Sequence, residues 1–311
     1  MIEESLLSRL PESAAIVQQA PLRDYTTFQL GGTCPALIDC ANAETLTETA
    51  SILHAAGVGY LVIGQGSNLL VSDRGLSDVI LRFCADRGPD VVVDGGSVRV
   101  SGHTLLDDLA RLTIEQGIGD VSYCSGIPGT VGGAIAGNAG AFGRQIGDVV
   151  ESVLLLDATG RQHELSGAEL AFDYRTSILK QTGGIVLSAL LNLEPADVAT
   201  MQMERARILD LRRSKHPDWR TMPCAGSVFR NIEPTSAAER RQAAGWFLEE
   251  AGAKELQVGG AHLYEKHANI IIADADATAR DVFELSEKMI SAVREKFGFE
   301  LMREIKLLGE F

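Results

Sequence analysis

Cysteine is scarce and unpaired in this chain. Only five of 311 residues are Cys: Cys34, Cys40, Cys84, Cys124 and Cys224, with no C-x-x-C spacing. An odd count without close pairs argues against a disulfide framework or a zinc site and favours free thiols in a reducing compartment. No run of about 18 apolar residues occurs, so nothing reads as a membrane-spanning helix. The N-terminal MIEESLLSRLPES is acidic and lacks the apolar stretch of a signal peptide. These features together predict a cytoplasmic protein with no metal. Basic residues are in deficit as well: 28 Lys and Arg face 42 Asp and Glu, a net charge of −14. That field disfavours nucleic acids and anionic membranes as partners.

Several catalytic signatures are also missing. There is no Gly-Lys pair, which excludes a P-loop. Gly64-Gln65-Gly66-Ser67-Asn68-Leu69 lacks the third glycine of a G-x-G-x-x-G turn, so a standard dinucleotide-binding Rossmann unit is unsupported. No G-x-S-x-G or H-E-x-x-H occurs, which removes the usual serine hydrolase and zincin readings.

What is present is glycine, 32 residues of it, in a chain that is 45% hydrophobic and long enough for about two domains. Apolar periodicity predicts helices over Asn42–Ala56, Thr104–Gln116, 197–215, 237–251 and Thr278–Lys296. Strands are predicted at Tyr60–Ile63, Val79–Phe83, Val91–Val93, Val98–Ser101, Val149–Asp157, Gln162–Leu165, Ile185–Leu193, Asn269–Ala273 and Leu301–Leu308. The pattern is α+β, β-rich at first and helix-rich after a boundary near 195–200.

Two glycine-rich segments concentrate the functional signal. Gly64, Gln65, Gly66, Ser67 and Asn68 follow a predicted strand. Glycine lets backbone approach a ligand closely, and successive N–H groups can cradle an anion. The second segment, 125–143, contains no charged residue and includes Gly126, Ile127, Pro128, Gly129, Thr130, Gly132, Gly133, Asn138, Ala139 and Gly140. Thr130 can cap the residues after it. Such a surface suits a flat ring system or a pyrophosphate. Tight packing between elements accounts for the same composition, and sequence alone leaves both readings open.

The ordered motifs resemble the UDP-N-acetylenolpyruvoylglucosamine reductase (MurB) family. The glycine segments resemble its FAD-binding part. Thr26-Thr27-Phe28-Gln29-Leu30-Gly31-Gly32, Tyr174-Arg175-Thr176-Ser177 and Ala225-Gly226-Ser227-Val228-Phe229-Arg230-Asn231 match further motifs. So do Gly259-Gly260-Ala261, Lys266-His267-Ala268-Asn269 and the C-terminal Glu304. The resemblance spans roughly residues 23–309. It implies a vanillyl-alcohol-oxidase-type FAD-binding fold of two α+β subdomains plus a C-terminal α+β substrate domain. The implied boundaries are 1–80 and 81–196 for FAD binding and 197–297 for a UDP-sugar, with 298–311 returning to the first subdomain. The absence of an inserted segment between Asn269 and Glu304 implies the shorter type, without a tyrosine-bearing loop.

The resemblance implies that NADPH reduces bound FAD, which then reduces an enolpyruvyl ether to UDP-N-acetylmuramate for peptidoglycan synthesis. Three positions carry the catalytic implication. Arg175 would stabilise the substrate carboxylate, which a guanidinium fork matches. Ser227 would donate a proton, and Glu304 would act either as a protonated group or by orienting another donor. Arg205, Arg207, Arg212, Arg213, Lys215 and Arg220 form a cationic run in an acidic chain. It reads either as solvated helix charges or as a grip on a pyrophosphate; Lys215, with Tyr174 and Asn231, is the favoured substrate-binding set. Cys224 and Leu263-Tyr264 depart from the family pattern. Two alternatives remain: an FAD-dependent oxidase of the same fold, and a catalytically silent flavin or UDP-sugar binder.

Overall fold

The computed structural model describes residues 3–84, 88–119, 121–233 and 241–311. By contact, the chain divides into two compact units. The first comprises Met1–Ala20, Pro35–Gln65 and Asp78–Arg212, and the second Pro21–Cys34, Gly66–Ser77 and Arg213–Phe311.

The first unit is built on two sheets. In one, the strands run in the order Ala14–Pro21, Thr33–Cys40, Val79–Arg82, Tyr60–Ile63. Leu37–Asp39 and Tyr60–Ile63 both pair in parallel with Val79–Arg82. The helix Ala43–Ala55 covers this sheet, with the Asn42 side chain accepting the Thr45 N–H at 2.8 Å as its cap. Its Leu46, Ala50 and Leu53 are fully buried against Ile38 and Leu81. The other sheet is antiparallel, in the order Gln162–Ser166, Val150–Leu156, Ile185–Asn192, Ser97–Ser101, Val91–Asp94. The helices Leu106–Glu115 and Val131–Gly137 pack on it through Leu106, Leu109, Val131 and Ile135. Leu156 and Leu187 reach from this sheet into the core of the first, so one unit holds both.

The second unit carries a three-stranded antiparallel sheet, Gln257–Val258, Ala261–Tyr264 and His267–Ala273. The helix Ala279–Phe297 lays Val282, Leu285, Met289 and Val293 on it, all fully buried, at the spacing of one helix face. Burying each such side chain stabilises the fold by about 1.5–3 kcal/mol. The reciprocal Thr278–Asp281 capping box at the helix start contributes about 1 kcal/mol, so packing decides this helix and the cap sets where it begins. Lys306–Leu308 pairs in parallel with Leu69–Val71.

Several boundaries differ from the sequence expectation. The helix expected over 237–251 is Ala244–Glu250. Residues 237–240 lie outside the described residues, and Gln242 is held out of the helix by two backbone hydrogen bonds to Ile232, at 2.9 and 3.0 Å. The strand expected over Leu301–Leu308 is a ladder only at Lys306–Leu308, because residues 302–305 hydrogen-bond to the Val228–Arg230 segment instead. Ala14–Pro21 and Thr33–Cys40 were not expected. The first is an exposed strand without alternation, and the second carries Pro35 and two cysteines where a β-branched run would signal a strand.

Candidate active site

The two glycine-rich segments meet in the first unit. A Cβ at Gly64 would lie 2.5 Å from Thr130 Oγ1, so only glycine allows this approach. Gln65 Oε1 accepts the Gly129 N–H at 2.6 Å and ties the segments together. The longer segment contains a helix of small residues, Val131–Gly137, capped by Thr130, whose Oγ1 accepts the Gly133 N–H at 3.3 Å. Several further amides here are committed within the protein. Val131 donates to Thr104 O at 2.8 Å, Gly132 to Gly102 O at 2.9 Å and Ile127 to Cys124 O at 3.0 Å. Gly126 donates to Asp107 Oδ1 at 2.7 Å. Its partners fixed, this segment offers a flat, small-residue face more than a ring of donors. Ala139 and Gly140 lead into a hairpin in which a Cβ on Gly140 would stand 2.1 Å from Arg144 O.

Two features of this face are not explained by the protein's own packing. Ser125 is fully buried, yet its Oγ has no hydrogen-bond partner. Gly137 has an ordinary φ, and a Cβ there would meet nothing within 4 Å. A helical glycine costs roughly 0.5–1 kcal/mol relative to Ala, so its use at an uncrowded position calls for another reason. A buried donor and a backbone face kept clear both fit a flat nucleotide cofactor such as FAD.

Arg175 sits at the tip of a tight hairpin. Asp173 and Thr176 exchange two backbone hydrogen bonds at 3.1 Å, leaving Tyr174 and Arg175 as the turn. Arg175 takes a left-handed φ of 55°, an uncommon conformation for a residue with a Cβ. Buried Asn138 holds this hairpin: its Nδ2 donates to Asp173 O at 2.9 Å, and its Oδ1 accepts the Gly147 N–H at 3.0 Å. Asn138 itself caps the small-residue helix with φ 45°. The guanidinium of Arg175 lies 5.7 Å from the centre of the Tyr174 ring.

Ser227 and Glu304 are in the second unit. Val228 links them: its N–H donates to Asn269 O at 2.9 Å, and its carbonyl accepts the Glu304 N–H at 2.7 Å. The Asn269 side chain, buried in the strand His267–Ala273, clamps the next residue from both sides. Its Oδ1 accepts the Phe229 N–H at 2.9 Å and its Nδ2 donates to Phe229 O at 2.8 Å. Gly226, at φ 67°, turns the chain into this clamp. Asn68 Nδ2 donates to Glu304 O at 3.0 Å, so the short segment that contains Gly66, Ser67 and Asn68 also anchors Glu304. A Cβ on Gly66 would lie 2.1 Å from Tyr25 O. Beneath the Ser227 turn, Cys224 is a buried thiol whose pKa is raised by burial, and its N–H donates to Thr27 O at 3.1 Å.

Of the favoured substrate-binding set, Lys215 is exposed at the end of the helix Val198–Lys215. Asn231 Oδ1 accepts the Ala244 N–H at 3.2 Å. His267, in the same motif as Asn269, has no site role in the sequence reading. Its Nδ1 accepts the Asn269 N–H at 3.2 Å, and its ring lies 5.5 Å from that of His216. Burial above all, then the charges of Lys215 and Lys254, holds its pKa below the usual histidine value.

Comparison with known proteins places the chain. Residues 35–166 match the family model of an FAD binding domain, and 217–308 that of the UDP-N-acetylenolpyruvoylglucosamine reductase C-terminal domain. The UDP-N-acetylenolpyruvoylglucosamine reductase of Bacillus licheniformis is 35% identical over 301 residues, covering 96% of each chain. That of Moorella thermoacetica is 37% identical over 296 residues, covering 95% of this chain and 94% of its own. The chain belongs to the UDP-N-acetylenolpyruvoylglucosamine reductase family. The crystal structure of the MurB enzyme from Thermus caldophilus superposes with a TM-score of 0.76 at 30% identity, over 95% of this chain and 99% of that one. The fold is therefore the vanillyl-alcohol-oxidase-type FAD-binding fold expected from the motifs, with the MurB C-terminal domain after it, and the chain is an FAD-dependent oxidoreductase. No helix among the described residues is long and apolar enough to cross a membrane.

Arg175, Ser227 and Glu304 lie outside the regular helices and strands, and the side chains that brace their segments come from elsewhere in the chain. Asn269 stood in a family motif yet read only as the start of a strand. Its amide pairing with Phe229 spans 40 residues.

Two outcomes test this geometry. Asn269→Ala strips partners from the buried Phe229 N–H and C=O, and should lower stability by about 2–4 kcal/mol in urea unfolding. His267 has a depressed folded pKa, so as pH falls below about 6.5 the unfolded chain takes up the proton first and stability drops. His267→Gln should flatten that part of the stability–pH profile between pH 7.5 and 5.5, and an unchanged slope would refute the assignment.

Proposed function

We propose that this protein reduces UDP-N-acetylglucosamine enolpyruvate to UDP-N-acetylmuramate in the cytoplasm, with NADPH as reductant, as a step of peptidoglycan precursor synthesis. The observation that carries this reading is the near-full-length family match; the resemblance of the Tyr174-Arg175-Thr176-Ser177 and Ala225-Gly226-Ser227 motifs and of the C-terminal Glu304 supports the residue roles. FAD, when bound, would supply the two-electron hydride chemistry between NADPH and the enol ether. We assign 1–80 and 81–196, with 298–311, to FAD binding and 197–297 to the UDP-sugar.

The chain's own residues handle charge and proton. Reduction of the enol ether develops negative charge next to the substrate carboxylate. The guanidinium of Arg175 matches that carboxylate with two parallel donors and stays charged at every working pH. A left-handed hairpin tip, fixed by Asn138, gives this side chain a defined origin. Ser227 donates the proton to the second carbon. A hydroxyl is a weak acid, so its position must be set in advance of the reaction, and the Asn269 clamp beside it supports that role. Glu304 acts on the same proton transfer, either as a protonated carboxyl or by orienting the donor. Lys215, Tyr174 and Asn231 bind the UDP moiety.

An anaerobic visible spectrum tests the reading in one cuvette. The flavin band should bleach with NADPH and return on addition of UDP-N-acetylenolpyruvoylglucosamine. A band that bleaches without returning would move the substrate to the oxidase or silent-binder readings. Ser227→Ala should leave bleaching by NADPH near normal and slow its return about 10²–10⁴-fold. Equal loss in both halves would remove Ser227 from the role of proton donor.

A further inference from the structure

The cations between 205 and 220 separate by what they touch. Arg205 forks onto Asp107 at 2.7 and 2.9 Å. Arg207 forks onto Glu204 at 2.7 and 2.6 Å, and Arg220 lies 3.4 Å from Asp218. Arg212 is different. Its Nε is buried with no hydrogen-bond partner, and among the described residues its guanidinium forms no ion pair. Its side chain lies along Gly126, where a Cβ would stand 3.0 Å from Arg212 Cδ and 3.6 Å from its Nε. The nearby carboxylate, Asp107, is already engaged. Its Oδ1 accepts from Gly126 N–H and Arg205, and its Oδ2 from Arg205. Burial holds the Arg212 pKa below that of a free guanidinium; Cys124 and Asp107 pull it up, and the like charge of Arg175 adds to the depression. The guanidinium stays charged regardless.

A mostly buried charge without a counter-ion is expensive. A protein that keeps one gains from it when a ligand brings the opposite charge. We infer that Arg212 is a ligand-binding residue whose guanidinium receives an oxyanion, phosphate or carboxylate, of a molecule lying against Ser125 and Gly126. A second observation points the same way: the adjacent Ser125 hydroxyl is fully buried and also lacks a partner. The inference rests on reading this glycine-rich segment as a nucleotide-binding face. The oxyanion has two possible sources, the cofactor's pyrophosphate and an anionic group of the UDP-sugar.

Arg212→Met and Arg212→Lys in the full chain separate these. Three quantities are measured: FAD retained per chain after gel filtration, the affinity for UDP-N-acetylenolpyruvoylglucosamine titrated through the flavin spectrum without NADPH, and the melting temperature of the FAD-free protein. Arg212→Met should leave that melting temperature equal or higher, since it removes an unpaired charge. It should weaken one of the two affinities tenfold or more, with partial recovery in Arg212→Lys. Loss confined to FAD assigns the cofactor's pyrophosphate, and loss confined to the UDP-sugar assigns the substrate. A lower melting temperature, or both affinities within twofold of wild type, would overturn the inference. The wild-type titrations report separately on the functional reading: a wild-type chain that binds neither ligand would remove the basis of both.

Discussion

One backbone residue organises the chemistry of the second unit. Val228 donates its N–H to Asn269 and accepts from the N–H of Glu304, so Ser227, the proposed proton donor, and Glu304 are tied to a single residue. Neither residue could be placed by its own segment. The Ser227 turn is irregular, and 302–305 breaks from the ladder that begins at Lys306. Asn269 solves this with a side-chain amide that imitates a strand neighbour, satisfying both backbone groups of Phe229 in a site too buried for water to do so. Its strand is in turn held by the largest apolar cluster of that unit, which is why a polar clamp can be kept rigid there.

The first unit solves a different problem by omission. Gly64 approaches Thr130 more closely than any side chain permits, and Gln65 and Asp107 consume donors of the longer segment. What remains is a surface of small residues with many of its amides already engaged. The same economy explains Arg175. A two-residue turn with Arg175 in the left-handed region is braced from outside by Asn138, at the end of the small-residue helix. The brace and the proposed carboxylate-binding residue thus come from distant parts of the sequence, joined by one amide.

Charge follows local rules in this acidic chain. The net −14 is a property of the whole surface, whereas the arginines near 205–220 sit in particular environments. Arg205, Arg207 and Arg220 each have a neighbouring carboxylate, and the two exposed pairs, Arg207–Glu204 and Arg220–Asp218, contribute little to stability. Arg212 differs: among the described residues it forms no ion pair, and the nearby Asp107 already serves Arg205 and Gly126.

By itself the sequence determined the class of protein and most regular elements. Period and caps located the helices that begin at Asn42 and Thr278, because those signals act over three or four residues. The ordered motifs carried the family, and the glycine composition marked the two segments proposed to meet the cofactor. Tertiary structure alone decided the rest. The small-residue helix after Thr130 carries little apolar periodicity, since Gly and Ala have nothing to alternate. The exposed strand Ala14–Pro21 buries almost nothing and so leaves no pattern. The roles of Asn138, Asn269 and Arg212 depend on partners 35, 40 and 86 residues away (Asp173, Phe229 and Gly126) or on the want of one. No local pattern encodes a contact whose two halves meet only after the chain has folded.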